Sequence, residues 1–358
     1  MGVRRTLRRI ALRAERVLDG LLTFKRRRRP PLIEPYTGYA TPDALVARGR
    51  VLTYLRRQDP NPQQGWFTNL RQMLALFLTD EVSGVTVETM DGRARAVSDE
   101  EGYFTLLLPR DGEGASGWTE VEAHIETSQE RADLPVLVPR PQARLGVISD
   151  IDDTVMETGA YSLARNLWTS LTGNALTRRV FPDSVALLDA LSEGGRNPVF
   201  YVSSSPWNLH RFLESVFERA GVVQGPMFLR DLGLNEQAPK GPHGGHKGAA
   251  IDTLMAANPD LSFWLLGDTG QHDAEVYLDV ARRYPGRVAR VALREPGPGP
   301  DAEARHSIEA LRALGVEVTS SKDFRSVVPG TEPDLGAEAR VPRTGAPAPQ
   351  SPEPDPRR

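Results

Sequence analysis

The sequence predicts an α/β protein, a doubly wound parallel sheet preceded by a small β-sandwich, and three observations carry that expectation. Short apolar runs alternate with helix-period segments from 145 to 314. Turn-bounded runs of alternating polarity occupy 85–125. No segment approaches the roughly 20 apolar residues that would span a bilayer. In the C-terminal part, strands are expected near 145–149, 198–202, 227–229, 263–267 and 288–293, and helices near 183–193, 208–220, 247–257, 273–283 and 303–314. That alternation implies right-handed crossovers and a parallel sheet covered on both faces.

Before it, Val85–Met90, the turn Asp91-Gly92 and Arg93–Val97 read as a hairpin, a further strand starts at Tyr103, and Trp118–Ile125 alternates as another. Tyr103, Phe104 and Trp118 are expected to pack in the core or at an edge rather than form a ligand platform. The chain thus divides into a basic arm (1–35), a β-rich sandwich-like domain (36–140), a catalytic α/β domain (141–328) and a Pro-rich tail (329–358) too poor in apolar surface to fold.

A length of 358 residues suits two domains, and 39% hydrophobic with 25% charged residues places the chain among soluble globular proteins rather than disordered ones. The absence of cysteine excludes disulfides and thiolate metal sites and leads to the expectation of a cytoplasmic protein. The net charge of −3 conceals an asymmetry: residues 1–30 carry eleven Lys/Arg against Glu15 and Asp19, leaving −12 on the remainder. Val3, Leu7, Ile10, Ala14, Val17 and Leu21 line one face of a helix there, with arginines opposite and KRRRR following at 25–29. Such an arm fits the surface of an anionic membrane, which would make the protein peripheral. A helix docked on its own domain, an interhelical contact and a nucleic-acid arm are its rivals, and no nucleic-acid partner is expected.

The chemistry is concentrated at strand ends. The run LGVISDIDDT (145–154) delivers Asp150 and Asp152 to the carboxyl edge of a buried strand, where open α/β sheets place their ligands. PVFYV runs directly into Ser203, Ser204 and Ser205. Lys247 opens a helix and is one of only four lysines in a chain that otherwise uses arginine. FWLL ends in Gly267-Asp268, and Asp273 follows at the start of another helix. A carboxylate pair, small hydroxyls, a cation and a second acid pair are the parts phosphoryl transfer needs, because that reaction depends on positioning and charge neutralisation.

In order and content these elements resemble the haloacid dehalogenase phosphatase superfamily: DxDxT at 150–154, a strand-end serine at 203, Lys247, and GDxxxxD ending in Asp268 and Asp273. The wording SDIDDTV, YVSSSPWNL, GPMFLRDLG, HKGAAI and LLGDTGQHDAEVY is similar to the App1-type phosphatidate phosphatases. The resemblance covers about 140–325, and GYATPD with VARGRVL extends it into the preceding domain. It implies a phosphoric monoester hydrolase with phosphatidate as substrate and diacylglycerol as product. On this reading Asp150 is the nucleophile that forms an aspartyl-phosphate, and Asp152 is the general acid and base. Thr154, Ser203 and Ser204 contact the phosphate, and Lys247 holds the developing charge. Mg²⁺ would sit on Asp150, the carbonyl of Asp152, Asp268 and, in its first or second shell, Asp273.

Alternatives remain open at this stage. The substrate is a phospholipid or another phosphomonoester, soluble or macromolecular, and a catalytically vestigial membrane scaffold is the reading from a different class. GPHGGHKG around Lys247 lacks the spacing of a P-loop. His243 and His246 lack the partners of a metal site. Arg230-Asp231 is read equally as a substrate contact or a surface ion pair. Asp153 is expected as a turn residue. In the insertion after Thr154, Leu163, Leu167, Trp168 and Leu171 are read as core or as an apolar lip to an open site.

Overall fold

The computed structural model describes residues 30–53, 81–110, 114, 116–128, 130–157, 180–230, 244–297 and 299–329. The basic arm through residue 29, the insertion at 158–179 with its four apolar residues, Asp231 and His243, and the tail from 330 lie outside the described residues. The described chain builds two sheets.

The first is a seven-stranded mixed sheet made of β1 (Leu32–Ala40), β2 (Ala44–Leu52), β3 (Thr86–Thr89), β4 (Arg95–Val97), β5 (Tyr103–Pro109), β6 (Gly117–Ile125) and β7 (Arg131–Val138), in the order β4-β3-β6-β7-β1-β2-β5. The expected sandwich is therefore corrected to one sheet. Its edge strands β4 and β5 lie against each other, so the sheet curls almost into a barrel around Val51, Leu106, Ile125, Leu134 and Val136. The expected hairpin is β3–β4, with Asp91 Oδ1 accepting from the Thr89 hydroxyl at 2.6 Å and from Arg93 N at 3.0 Å. Phe104 is buried, whereas Trp118 is 47% exposed and not a core residue.

The second sheet is entirely parallel: β8 (Leu145–Ser149), β9 (Val199–Pro206), β10 (Met227–Arg230), β11 (Ser262–Asp268), β12 (Val288–Arg294) and β13 (Glu317–Ser321), in the order β10-β9-β8-β11-β12-β13. Strands buried on both faces must be apolar throughout, as VFYV and FWLL are. On one face lie α1 (Pro182–Ser192) and α2 (His210–Ala220); on the other lie α3 (Gly244–Ala257), α4 (Asp273–Arg283) and α5 (Ala302–Ala313). Local chemistry sets the helix ends. Pro182 opens α1, Gly221 closes α2 at φ 68°, and Asp301 caps α5 by accepting from Glu303 N and Ala304 N. The sixth strand, β13, has no counterpart in the sequence reading. EVTSS is half-exposed at a sheet edge and offers no apolar run to detect.

This strand order has a consequence for function. The chain leaves β8 toward β9 and β10, then returns to the other side of β8 to lay down β11, β12 and β13. The order reverses between β8 and β11, and the crevice above the carboxyl ends of those two strands is where such sheets bind ligands. Asp150 and Asp268 stand on its two sides.

Arg48 on β2 joins the two sheets. A bulge in β1 between Tyr36 and Tyr39 takes the Thr37 carbonyl out of register, and Arg48 donates to it at 2.6 Å and to the Met227 carbonyl of β10 at 3.2 Å. The guanidinium packs over Tyr39, Trp207 and Phe228, and burial pushes its pKa down to about 10. Tyr36 stacks on Trp207 at 5.0 Å, and Arg211 pairs with Glu34 at 2.6 Å. Arg48→Ala would leave two buried carbonyls without a donor and open a gap among three aromatic rings. The expected loss is about 2–4 kcal/mol, to be read from urea unfolding curves of variant and wild type.

Candidate active site

Asp150 leaves the tip of β8, where its backbone N–H donates to the Leu266 carbonyl of β11 at 2.8 Å. The chain then turns sharply. Asp153 takes the left-handed conformation at φ 57°, which a short polar side chain tolerates, and its N–H donates to the Met156 carbonyl. Behind the turn the Thr154 carbonyl accepts from the Ser184 hydroxyl at 2.6 Å and from Arg294 Nε at 3.4 Å. Arg294, buried at the end of β12, also pairs with Asp183 and lies over the rings of Phe181 and Phe324. The loop is thus fixed by α1 and by Arg294 at the end of β12.

Four expected residues meet in the crevice. Lys247 Nζ lies 2.8 Å from Asp150 Oδ1 and also pairs with Asp273 Oδ1. Asp273 Oδ2 accepts from the backbone N–H of Asp268 at 3.1 Å, and Asp268 Oδ1 accepts from Gly270 N. All four side chains are buried. Asp273 lies in the first turn of α4, where the helix end favours negative charge.

Three carboxylates around one ammonium leave an excess of negative charge in a dry place. Burial drives the Asp150 pKa well above the usual carboxylate range, with Lys247 opposing and Asp273, Asp268 and Asp152 reinforcing the rise. Burial and then the charge of Asp273 push Asp268 up to about 8. Burial by itself would lower the Lys247 pKa, but Asp150 and Asp273 outweigh it and keep the ammonium charged.

The same residues fit a small, hard divalent cation. Oxygen atoms of Asp150, Asp268 and Asp273 lie within 4.8 Å of one another. Oδ2 of Asp150 and Oδ2 of Asp268 are buried without a hydrogen-bond donor among the described residues. A cation there would satisfy these oxygens and offset the excess charge, and an all-oxygen donor set is the kind Mg²⁺ takes.

The hydroxyls are arranged differently from the expectation. Ser203 Oγ donates to Asp152 Oδ2 at 2.8 Å, and Ser205 Oγ donates to the same oxygen at 2.9 Å. Ser204, between these two, makes no hydrogen bond to Asp152 among the described residues. The Thr154 hydroxyl is buried with no partner among the described residues. The Asp152 carbonyl accepts from Gln271 Nε2 at 3.1 Å and keeps its second lone pair. Arg230 is exposed.

Sequence reasoning named Ser205 among the strand-end hydroxyls without assigning it to Asp152, and gave no role to Gln271 or Gly267. Gln271 is an amide in a turn, with no local pattern to mark it. Gly267 stands out only in three dimensions, because a Cβ there would lie 2.6 Å from Asp273 Oδ2 and 2.8 Å from the Tyr277 hydroxyl, which donates to the Leu266 carbonyl. Gly267→Ala is expected to displace Asp273, destabilise the protein by about 1–3 kcal/mol and weaken divalent-cation binding. Thermal melts with and without Mg²⁺ would measure both effects.

Residues 145–295 match the family model described as phosphatidate phosphatase APP1, catalytic domain. Phosphatidate phosphatase APP1 of Saccharomyces cerevisiae is 27% identical over 177 residues, 49% of this chain and 30% of that protein. An uncharacterized protein of Schizosaccharomyces pombe is 25% identical over 171 residues, 46% of this chain and 27% of its own length. The chain therefore spans less than a third of the length of these two relatives. Among solved structures, Bacteroides thetaiotamicron EndoBT-3987, in complex with a Man9GlcNAc2Asn substrate, covers 80% of this chain and 85% of its own, at 11% identity and a TM-score of 0.20, too low to carry an argument. The buried acids, the bridging lysine and the switch-point position all lie inside the segment 145–295, which is similar to the catalytic domain of phosphatidate phosphatase APP1.

Proposed function

We propose that this protein is a Mg²⁺-dependent phosphatase that hydrolyses a phosphomonoester through an aspartyl-phosphate, with phosphatidate as substrate. The observation that carries the reading is the buried convergence of Asp150, Asp268 and Asp273 around Lys247 at the sheet's switch point. Strand order and helices on both faces support a doubly wound, haloacid-dehalogenase-like domain, with the N-terminal sheet as a separate domain before it.

Asp150 and Asp268, with the second lone pair of the Asp152 carbonyl, would hold the ion. When bound, it neutralises phosphoryl charge that would otherwise repel Asp150. Asp273 has both oxygens engaged, so its role would be to anchor Lys247 and the Asp268 backbone rather than to bind the ion directly. A carboxylate oxygen of Asp150 attacks phosphorus as the bond from phosphorus to the alkoxide oxygen breaks, and Asp152 gives its proton to that oxygen. Water then attacks the aspartyl-phosphate, Asp152 takes the water's proton, and Asp150 and inorganic phosphate are released. Lys247 balances charge beside the nucleophile. Thr154 has an uncommitted hydroxyl for a phosphoryl oxygen. Ser203 would reach the phosphate only by giving up its bond to Asp152, and Ser204, which has no such bond among the described residues, is proposed as the second hydroxyl for the phosphate.

Phosphatidate rests on the family likeness and is the finer part of the proposal. Among the described residues no helix is long and apolar enough to cross a membrane, so a bilayer substrate would be met from the surface. The basic arm of residues 1–30 is proposed for that contact on its sequence pattern. The deciding assay gives purified protein and Mg²⁺ a choice between phosphatidate in mixed micelles and soluble phosphomonoesters. Turnover of phosphatidate at least about tenfold above the soluble compounds in kcat/KM is expected. Equal turnover would redirect the reading to a soluble phosphomonoester, and none with either would leave a vestigial domain.

A further inference from the structure

Asp152 is held more tightly than a proton carrier at the end of a loop needs to be for stability alone. Two hydroxyls from β9, Ser203 at 2.8 Å and Ser205 at 2.9 Å, converge on its Oδ2, while Ser205 N donates to Ser203 Oγ at 2.9 Å. From the opposite side Gln271 holds the Asp152 carbonyl at 3.1 Å. Each hydroxyl owns one proton, so both are committed to Oδ2. The terminal torsion of an aspartate is broad, and a carboxylate without such contacts would swing. Two donors on one oxygen stop that motion.

We propose that Ser205 is a positioning residue for Asp152: together with Ser203 it orients the carboxyl so that Oδ1 transfers the proton to the departing oxygen. The inference rests on the phosphatase reading above. It adds a residue whose side chain works through Asp152 and need not touch substrate. The function of the strand's odd-numbered serines is thereby divided from that of Ser204. Serine and threonine satisfy this role equally, since both carry the hydroxyl and β-branching suits a strand; alanine satisfies it not at all.

Leaving-group dependence separates this role from a merely structural one, because kcat/KM reports the steps through the first loss of the leaving group. A poor leaving group such as the alkoxide of an alkyl phosphate needs the proton, whereas 4-nitrophenolate departs without it. Ser205→Ala is expected to lower kcat/KM for the alkyl phosphate about tenfold and for 4-nitrophenyl phosphate less than about twofold, with Ser205→Thr restoring the former. Mg²⁺ binding, followed by tryptophan fluorescence, and the thermal midpoint are expected to match wild type. An equal loss on both substrates, no loss on either, or failure of threonine to rescue would overturn the positioning role. Wild-type protein inactive on both would instead overturn the phosphatase reading beneath it.

Discussion

Asp150→Asn is expected to reduce hydrolysis at least about 10³-fold while leaving the fold intact. Asparagine has the shape of aspartate, but its amide oxygen is too weak a nucleophile to displace an alkoxide. The structural consequence is small for a physical reason: burial and three neighbouring carboxylates already disfavour the ionised form of Asp150, so a neutral side chain relieves repulsion even as it gives up the 2.8 Å ion pair with Lys247. Lys247 keeps Asp273 as its partner. The thermal midpoint of the variant should therefore fall within a few degrees of wild type, about 1 kcal/mol or less. The stabilisation that Mg²⁺ confers on wild type should shrink, because one of the oxygen donors has lost its charge. Hydrolysis by the Asn variant at more than a few per cent of the wild-type rate would remove Asp150 as nucleophile.

Lys247→Met should have the largest effect on stability. The side chain is replaced by one of similar length, so packing changes little, but Asp150 and Asp273 are left buried with no countercharge. Breaking a buried ion pair from one side costs about 3–5 kcal/mol, a fall on the order of 10 °C in the thermal midpoint of a domain this size. Mg²⁺ should recover part of that loss by taking up the orphaned charge, and more of it than it adds to wild type. Activity should fall as well, since the phosphoryl group would lose the cation beside Asp150. A variant as stable as wild type would show that Lys247 does not compensate the acidic cluster.

Much of the parallel sheet was readable from the chain. The apolar runs at 145–149, 198–202, 227–229, 263–267 and 288–293 are each found within β8, β9, β10, β11 or β12 to within a few residues. They were readable because a strand covered on both faces has to be apolar along its whole length. β13 was invisible for the converse reason, a half-exposed edge with a polar composition. The curl of the N-terminal sheet was also beyond reach, since closure depends on β4 meeting β5 and on the short parallel contact of β1 with β7, not on any single strand's pattern. Arg48 read as one arginine among many, although it sits among three aromatic rings between two sheets.

For the site, order along the chain pointed to Asp150, Asp152, Lys247, Asp268 and Asp273, because carboxylates at the end of an apolar run, a rare lysine opening a helix and an acid at a helix start are local events. What tertiary structure alone decided is which of them touch: Lys247 bridging two acids, carboxylate oxygens of Asp150, Asp268 and Asp273 brought within 4.8 Å of one another, and two serines claimed by Asp152. Residue type and spacing are written one-dimensionally, so they determine the chemical parts and the strand that carries each. Distances between side chains more than fifty positions apart depend on strand order and register, and the room that Gly267 leaves for Asp273 exists only once β11 and α4 have packed together.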